Sequence, residues 1–461
     1  MARGSAQGAL GVNIMANVRV AKKSCTVNPL KMSQPIGAAL AFMGIERSMP
    51  LLHGSQGCTA FGLVLFVRHF REMIPLQTTA MNEVTTILGG MENIEEAIVN
   101  IYSRTKPSII GLCSTGLTEI KGDDVDGYLQ LIRKKHPELE ALEIIYVSTP
   151  DFKGAFQDGW AQAAAQMLAA LVPERQETIK NQVNVLAGSH LSVADIDEIR
   201  EIIESFGLSP IVVPDLSRAL DGIVPEAFTP TTMGGTSVAE IKNMAASAHT
   251  LAIGESMWPA AELLAKKGLP VTVFPRLTGL GVNDDFIALL AELSGKPIPQ
   301  KWRRERDRLV DAMLDGHFFF GKKRVAIGAE PDLLFALGSF LHEMGVEIAM
   351  AVTTTDTPIL RHLPVQDVVI GDLEDLEHGS TKVDLLMTHS HGRQASERLG
   401  VPLFRVGLPQ FDRIGAPHQL LVGYRGTRRL IYEIGNVFLA NMPHPHPQDS
   451  HDHAHAPAQA Y

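Results

Sequence analysis

The sequence predicts an α/β protein of three doubly wound domains with mainly parallel sheets. Three observations carry this. Short β-branched runs alternate with helical patterns along most of the chain. The alternation falls into three blocks, and strand–helix–strand repetition of this kind builds parallel sheets covered by helices on both faces. The length, 461 residues, makes about three domains at roughly 150 residues each.

In the first block, Ser108–Leu112 and Ile144–Val147 read as buried strands, each ending near Ser, Thr, Gly or Pro. Between them Asp123–Lys135 reads as a helix entered through Gly122. The second block opens near Val183 and continues as a helix over Val193–Phe206, capped by Ser192 with Asp195 in the capping-box position. Ile211–Val213, Thr250–Ile253 and Val271–Phe274 are its further strands. The third block starts with the strand Arg324–Gly328, and Pro331 then stands where a first helical residue tolerates proline. Leu333, Leu334, Leu337, Phe340, Leu341 and Met344 recur at helical spacing until Gly345. Ile348–Val352, Asp367–Ile370, Asp384–Met387 and Leu403–Val406 continue as strands. The domains are accordingly drawn at 1–180, 181–320 and 321–440. Residues 441–461 form a tail carrying His444, His446, His451, His453 and His455, which reads equally as a metal-binding tract and as a disordered end.

Composition narrows the function. Hydrophobic residues make up 45% and charged residues 20%, ordinary values for a globular chain. The 41 basic against 51 acidic residues give a charge of −10, which argues against generic nucleic-acid binding. No stretch reaches the roughly eighteen apolar residues of a membrane span, and the first twenty or so residues lack an apolar signal region. A cytoplasmic protein is expected. Three cysteines without a CxxC pair exclude a disulfide framework and a thiolate-rich zinc site.

Chemistry in parallel sheets lies beyond the carboxyl ends of the strands, so the loops there are searched first. His53-Gly54-Ser55-Gln56-Gly57-Cys58 is the most informative of them. Gly57 removes a side chain that would crowd a metal beside Cys58, although a lone cysteine is more commonly a small core residue. Cys113, in GLCSTG, reads as a half-buried thiol at a strand end, and Cys25 as a free thiol in a polar arm. The acidic run Asp372–His378 reads as a solvated face.

The segment Asn28–Gly90 resembles the nitrogenase component family. It contains NPLKMSQPIGAALAFMGIERSMPLLHGSQGC, then VRHFREMIPLQTTAMNEV and LGG. STGLTEIKGDD, TPDFKGAF, GDLEDLEH and LGVPLFRVGLPQFDRIG extend the resemblance over the chain between Val27 and Leu439. In a catalytic subunit of that family three cysteines ligate an eight-iron cluster, and only Cys58 falls on one of those positions. Ser33, 25 residues earlier, and Gly116, 58 residues later, stand at the other two. A serine position of the same cluster reads Asp151 here.

The resemblance therefore implies the cofactor-assembly branch of the family. There, a single cysteine joins three from the partner NifE to hold a shared [4Fe–4S] cluster, one thiolate per iron. Cys58 is the expected metal and cofactor ligand, with Cys113 at most a neighbour of the cluster. The implied function is a scaffold, in a heterotetramer with NifE, for maturation of the nitrogenase iron–molybdenum cofactor. NifB is the expected donor of the transient precursor, and the Fe protein NifH the supporting partner. A phenylalanine of the catalytic subunit lies where that subunit meets the Fe protein. The same count places Leu88 there, followed by Gly89 and Gly90, as a docking patch. The rival reading is catalytic: the β subunit of a nitrogenase or of a related tetrapyrrole reductase.

Overall fold

The structure, a computed structural model, describes residues 15–21, 23, 29–222 and 229–442. Cys25 and the histidines of the tail lie outside the described residues. Strand β1 (Asn17–Val20) comes first. The first sheet holds β2 (Ser48–His53), β3 (Gln77–Thr78), β4 (Ile109–Ser114) and β5 (Glu143–Val147), in the order β3-β2-β4-β5. The second holds β6 (Ile179–Ala187), β7 (Ser209–Val213), β8 (Ser247–Ile253) and β9 (Val271–Phe274), in the order β7-β6-β8-β9. The third holds β10 (Arg324–Gly328), β11 (Glu347–Thr353), β12 (Asp367–Ile370), β13 (Leu385–Thr388) and β14 (Leu403–Arg405). Its order is β1-β12-β11-β10-β13-β14. All the pairings are parallel, as three doubly wound domains require.

Each order reverses once. The chain leaves β2 toward β3 and returns on the other side at β4; β6 with β8, and β10 with β13, repeat the pattern. Crevices open at the carboxyl ends of strands at such reversals, and ligands in open α/β sheets sit there. The loops that matter therefore follow β2, β6 and β10 together with their neighbours β4, β8 and β13.

The helices of the first domain are α1 (Gln34–Met43), α2 (Gln56–Phe70), α3 (Glu83–Leu88), α4 (Met91–Thr105), α5 (Gly116–Lys121) and α6 (Val125–Lys135). Then α7 (Phe156–Leu171) packs along α1. Period-two alternation sorts the central strands between two cores. Met49, Leu51, Ile110 and Leu112 face one apolar cluster with α4 and α6. Leu52, Ile109 and Cys113 face the large core that runs through all three domains. The sheet, being buried on both faces, reads as a nearly continuous apolar run.

The local details follow the expected chemistry in most places. Ser192 Oγ accepts from the Asp195 amide at 3.0 Å, while Asp195 Oδ2 accepts from the Ser192 amide at 2.9 Å. Pro331 opens the helix Pro331–Glu343. Three features depart from the sequence reading. Gly122 closes α5 in a left-handed conformation, and Asp124 caps α6 through the Gly127 amide at 3.0 Å. The N-terminal segment joins the third sheet through β1 rather than the first domain. The acidic run after β12 forms a helix, Leu373–Gly379, whose cap Asp372 also accepts from Lys23 Nζ at 2.6 Å. Its charges are partly used in holding the N-terminal segment down.

Candidate metal-cluster site

Strand β2 delivers His53, and the chain turns through Gly54 and Ser55 directly into α2. Cys58 is therefore the third residue of a fifteen-residue helix, half-buried at the reversal between β2 and β4. Its Sγ lies 3.6 Å from Ser55 Oγ. The space beside Gly57 is open apart from that hydroxyl. On the same helix Phe61 is 65% exposed, and Val64 and Val67 are exposed as well. The thiol thus opens onto an apolar, uncovered surface.

The loop after β4 is tied to the same turn. Thr115 Oγ1 donates to the His53 carbonyl at 2.9 Å, and Thr149 Oγ1, after β5, donates to the Ser114 carbonyl at 2.7 Å. The structure thereby brings the loops of Cys58, Gly116 and Asp151 to one end of one sheet. Asp151 Oδ2 accepts from the Gly116 amide at 3.0 Å, and a Cβ on Gly116 would lie 3.2 Å from that oxygen. The carboxylate takes up the room a side chain at 116 would need. Ser33 stands at the N-cap of α1, half-buried, without a side-chain capping bond.

Cys113 is corrected. It is fully buried on the inner face of β4, with Sγ 3.8 Å from the Gly111 carbonyl, and burial pushes its thiol far up from the ordinary range. Among the described residues no group of three or more His, Cys, Asp or Glu converges to hold a metal. One half-exposed thiol with open space beside it fits a cluster whose other ligands come from another chain.

The segment Glu83–Gly90 lies over the same strand end. Asn82 and Thr85 form a reciprocal cap on α3, and Ile87 is 80% exposed beside exposed Val84. Leu88 closes α3. Gly90 is buried and turned inward: a Cβ there would sit 2.5 Å from His53 Cε1. Glycine is needed at 90 by the imidazole beneath it, not by a flat partner outside.

His53 itself was left without a role by the sequence. It is fully buried, with Nδ1 3.0 Å from Thr79 Oγ1 and Nε2 3.6 Å from Asp123 Oδ2. Burial pushes the imidazole down to about 4, against the pull of Asp123. Lys121 Nζ completes the group, 3.4 Å from Asp123 Oδ1 and donating to the Thr85 carbonyl at 3.3 Å. No motif could have announced this contact, because its parts come from separate loops.

Three parallel α/β sheets, with a half-exposed thiol at the reversal of the first, set the frame for comparison with known proteins. Residues 33–439 match the family described as nitrogenase component 1 type oxidoreductase, and the chain belongs to that family. Among curated relatives it is 57% identical to the nitrogenase iron-molybdenum cofactor biosynthesis protein NifN of Bradyrhizobium diazoefficiens, over 93% of this chain and 92% of that one. It is 50% identical to the protein of the same name from Nostoc sp., over 92% and 96%. Among solved structures it resembles a chain titled "Nitrogenase Cp1 at pH 6.5", with a TM-score of 0.87 and 31% identity over 91% of this chain and 95% of that one. Among the described residues no helix is long and apolar enough to cross a membrane.

Proposed function

We propose that this chain acts in biosynthesis of the nitrogenase iron–molybdenum cofactor, as the scaffold subunit that works with a NifE-type partner in the cytoplasm. The observation that carries this reading is the single available thiolate. Cys58 stands alone at the crevice, Ser33 offers only a hydroxyl, and the room at Gly116 is taken by Asp151. Among the described residues an eight-iron cluster would find too few ligands, which supports the scaffold reading over the catalytic one.

Cys58 would supply one thiolate to a [4Fe–4S] cluster, the partner supplying three; when bound, such a cluster supplies one-electron transfer. Ser55 Oγ is placed to donate to the sulfur, and the hydrogen bonds from Thr115 and Thr149 fix the turn that aims it. Phe61, Val64 and Val67 form the apolar rim that a partner would cover, excluding water. The cargo, an iron–sulfur precursor delivered by NifB, is matured on the complex by molybdenum and homocitrate insertion. The Fe protein NifH docks at Leu88 and Gly89, with exposed Val84 and Ile87 enlarging the patch and buried Gly90 packed beneath it.

Assembly tests the reading. Because ligands from both chains couple metal binding to association, native mass measurement is expected to find two copies of each subunit. A stable cluster-bearing monomer would contradict it. Leu88→Asp tests the docking patch: Fe-protein-dependent maturation falls severalfold while cluster and complex persist. Failure of the complex to assemble would instead make Leu88 a structural residue.

A further inference from the structure

The helix that starts beside Cys58 ends at a cavity. His69 and Phe70, at the end of α2, line it, together with His190, Glu330, Leu333 and Gln410. These residues come from all three domains. His190 follows β6 and Glu330 follows β10, the two strands at which the second and third sheets reverse. The cavity thus occupies the place where open α/β sheets hold ligands, at two sheets simultaneously.

Its walls are mostly apolar, but the polar groups on them are incompletely paired. His190 is buried, and neither ring nitrogen has a partner; the nearest carboxylate oxygen, Asp332 Oδ2, is 3.9 Å from Nδ1. Gln410 is also buried. Its Nε2 donates to the Gly407 carbonyl at 3.0 Å and to Gln419 Oε1 at 3.2 Å, which fixes the amide and leaves Oε1 unpartnered. His69 accepts the Gln410 amide on Nδ1 at 3.0 Å. A neutral imidazole presents one donor and one acceptor, and the amide oxygen a further acceptor. Leaving such groups unpaired is unfavourable, because each gives up its bonds to water without a replacement.

We propose that this cavity binds a small uncharged molecule with an apolar body and a head that both donates and accepts hydrogen bonds. Size sets the first limit. The cavity measures about 80 Å³. That is about half of a roughly 150 Å³ cavity able to hold benzene, so the bound part of a ligand is limited to a few non-hydrogen atoms. Charge sets the second. Burial pushes the Glu330 carboxyl up to about 8 and the His69 and His190 imidazoles down to about 4, so these groups are uncharged at neutral pH. A charged ligand would enter a low-dielectric space without a counter-ion. The donor–acceptor head answers the open valences of His190 and Gln410.

The test uses the full-length chain, purified with the subunit it assembles with, and ligand-observed NMR. Butanamide is the probe; butanoate and butylammonium are charged controls of the same length. Butanamide is expected to bind, with both controls at least about tenfold weaker. Gln410→Leu and His190→Leu are each expected to weaken butanamide about tenfold, the loss of one buried hydrogen bond. Equal binding of butanoate overturns the proposal. So does a high-resolution structure with saturating butanamide that shows only water at His190 and Gln410. If His190→Leu fails to fold, Gln410→Leu and the charge series decide.

Discussion

The crevice at Cys58 and the cavity at His190 hold equivalent places in their sheets, yet they are incomplete in different ways. At Cys58 the polar bonds are made within the chain, by Thr115, Thr149 and Asp151, and what is missing is cover for apolar side chains. At His190 the walls are mostly apolar and what is missing is hydrogen-bond partners. The difference teaches what each region awaits. An uncovered apolar rim is completed by another protein surface. A pocket with unpaired polar atoms is completed by something small.

The largest effect that sharpens this comparison is expected at the open site. Cys58→Ala should abolish the electron paramagnetic resonance signal of a [4Fe–4S] cluster in the purified complex, because one iron loses its thiolate. Cys113→Ala should leave that signal intact, since its sulfur lies in the core. An unchanged signal in Cys58→Ala would break the account. Next in size is the rim. Phe61→Asp places a charge at the centre of the exposed apolar face of α2 and should weaken assembly by an order of magnitude or more, read by size-exclusion chromatography across a dilution series. Unaltered assembly would move the interface elsewhere.

A smaller effect tests the packing between the two helices above the strand end. Gly90→Ala drives a methyl into the buried His53 ring and should cost about 1–3 kcal/mol in urea unfolding. His53→Ala in the same chain should recover part of that loss. If the two changes simply add, the contact is not the cause.

The smallest effect concerns the cavity at His190. The Glu330 and Asp332 carboxyls are pushed up by burial to about 8 and about 7. In the unfolded chain they ionise near pH 4, so the folded state holds more protons in between, and stability falls as pH rises through the folded values. Buried His53, His69, His190 and His389, pushed down to about 4, act in the opposite sense, but only below about pH 6.5. The urea midpoint should therefore decline from about pH 6.5 to about pH 8.5, and Glu330→Gln should flatten that decline. A midpoint that rises over this range would reverse the assigned protonation.

Much of the fold was legible because parallel strands buried on both faces are written as β-branched runs: SIIGL, RVAIG and their like need no tertiary information. Strand β2, SMPLLH, escaped because Pro50 and His53 interrupt the apolar pattern, although it carries the turn that aims Cys58. The partner of β1 is set by distant chain, β12, which local patterning cannot report. The ligand role proposed for Cys58 came from its register with the family, and the structure adds that its thiol is half-exposed at the sheet reversal. The side of the sheet taken by Cys113 was fixed by alternation, but only once the strand's limits were known. His53, Asp123 and Gly90 meet across separate loops, and so do His190, Glu330 and Gln410; no spacing encodes either group.

The central claim is that this chain contributes one thiolate, and no more, to a metal centre shared with a partner. Iron analysis of the purified complex, counted per subunit interface, tests it most directly. The account predicts about four irons per interface with the magnetic signature of a [4Fe–4S] cluster, lost together in Cys58→Ala. About eight irons per interface, retained after that substitution, would contradict it.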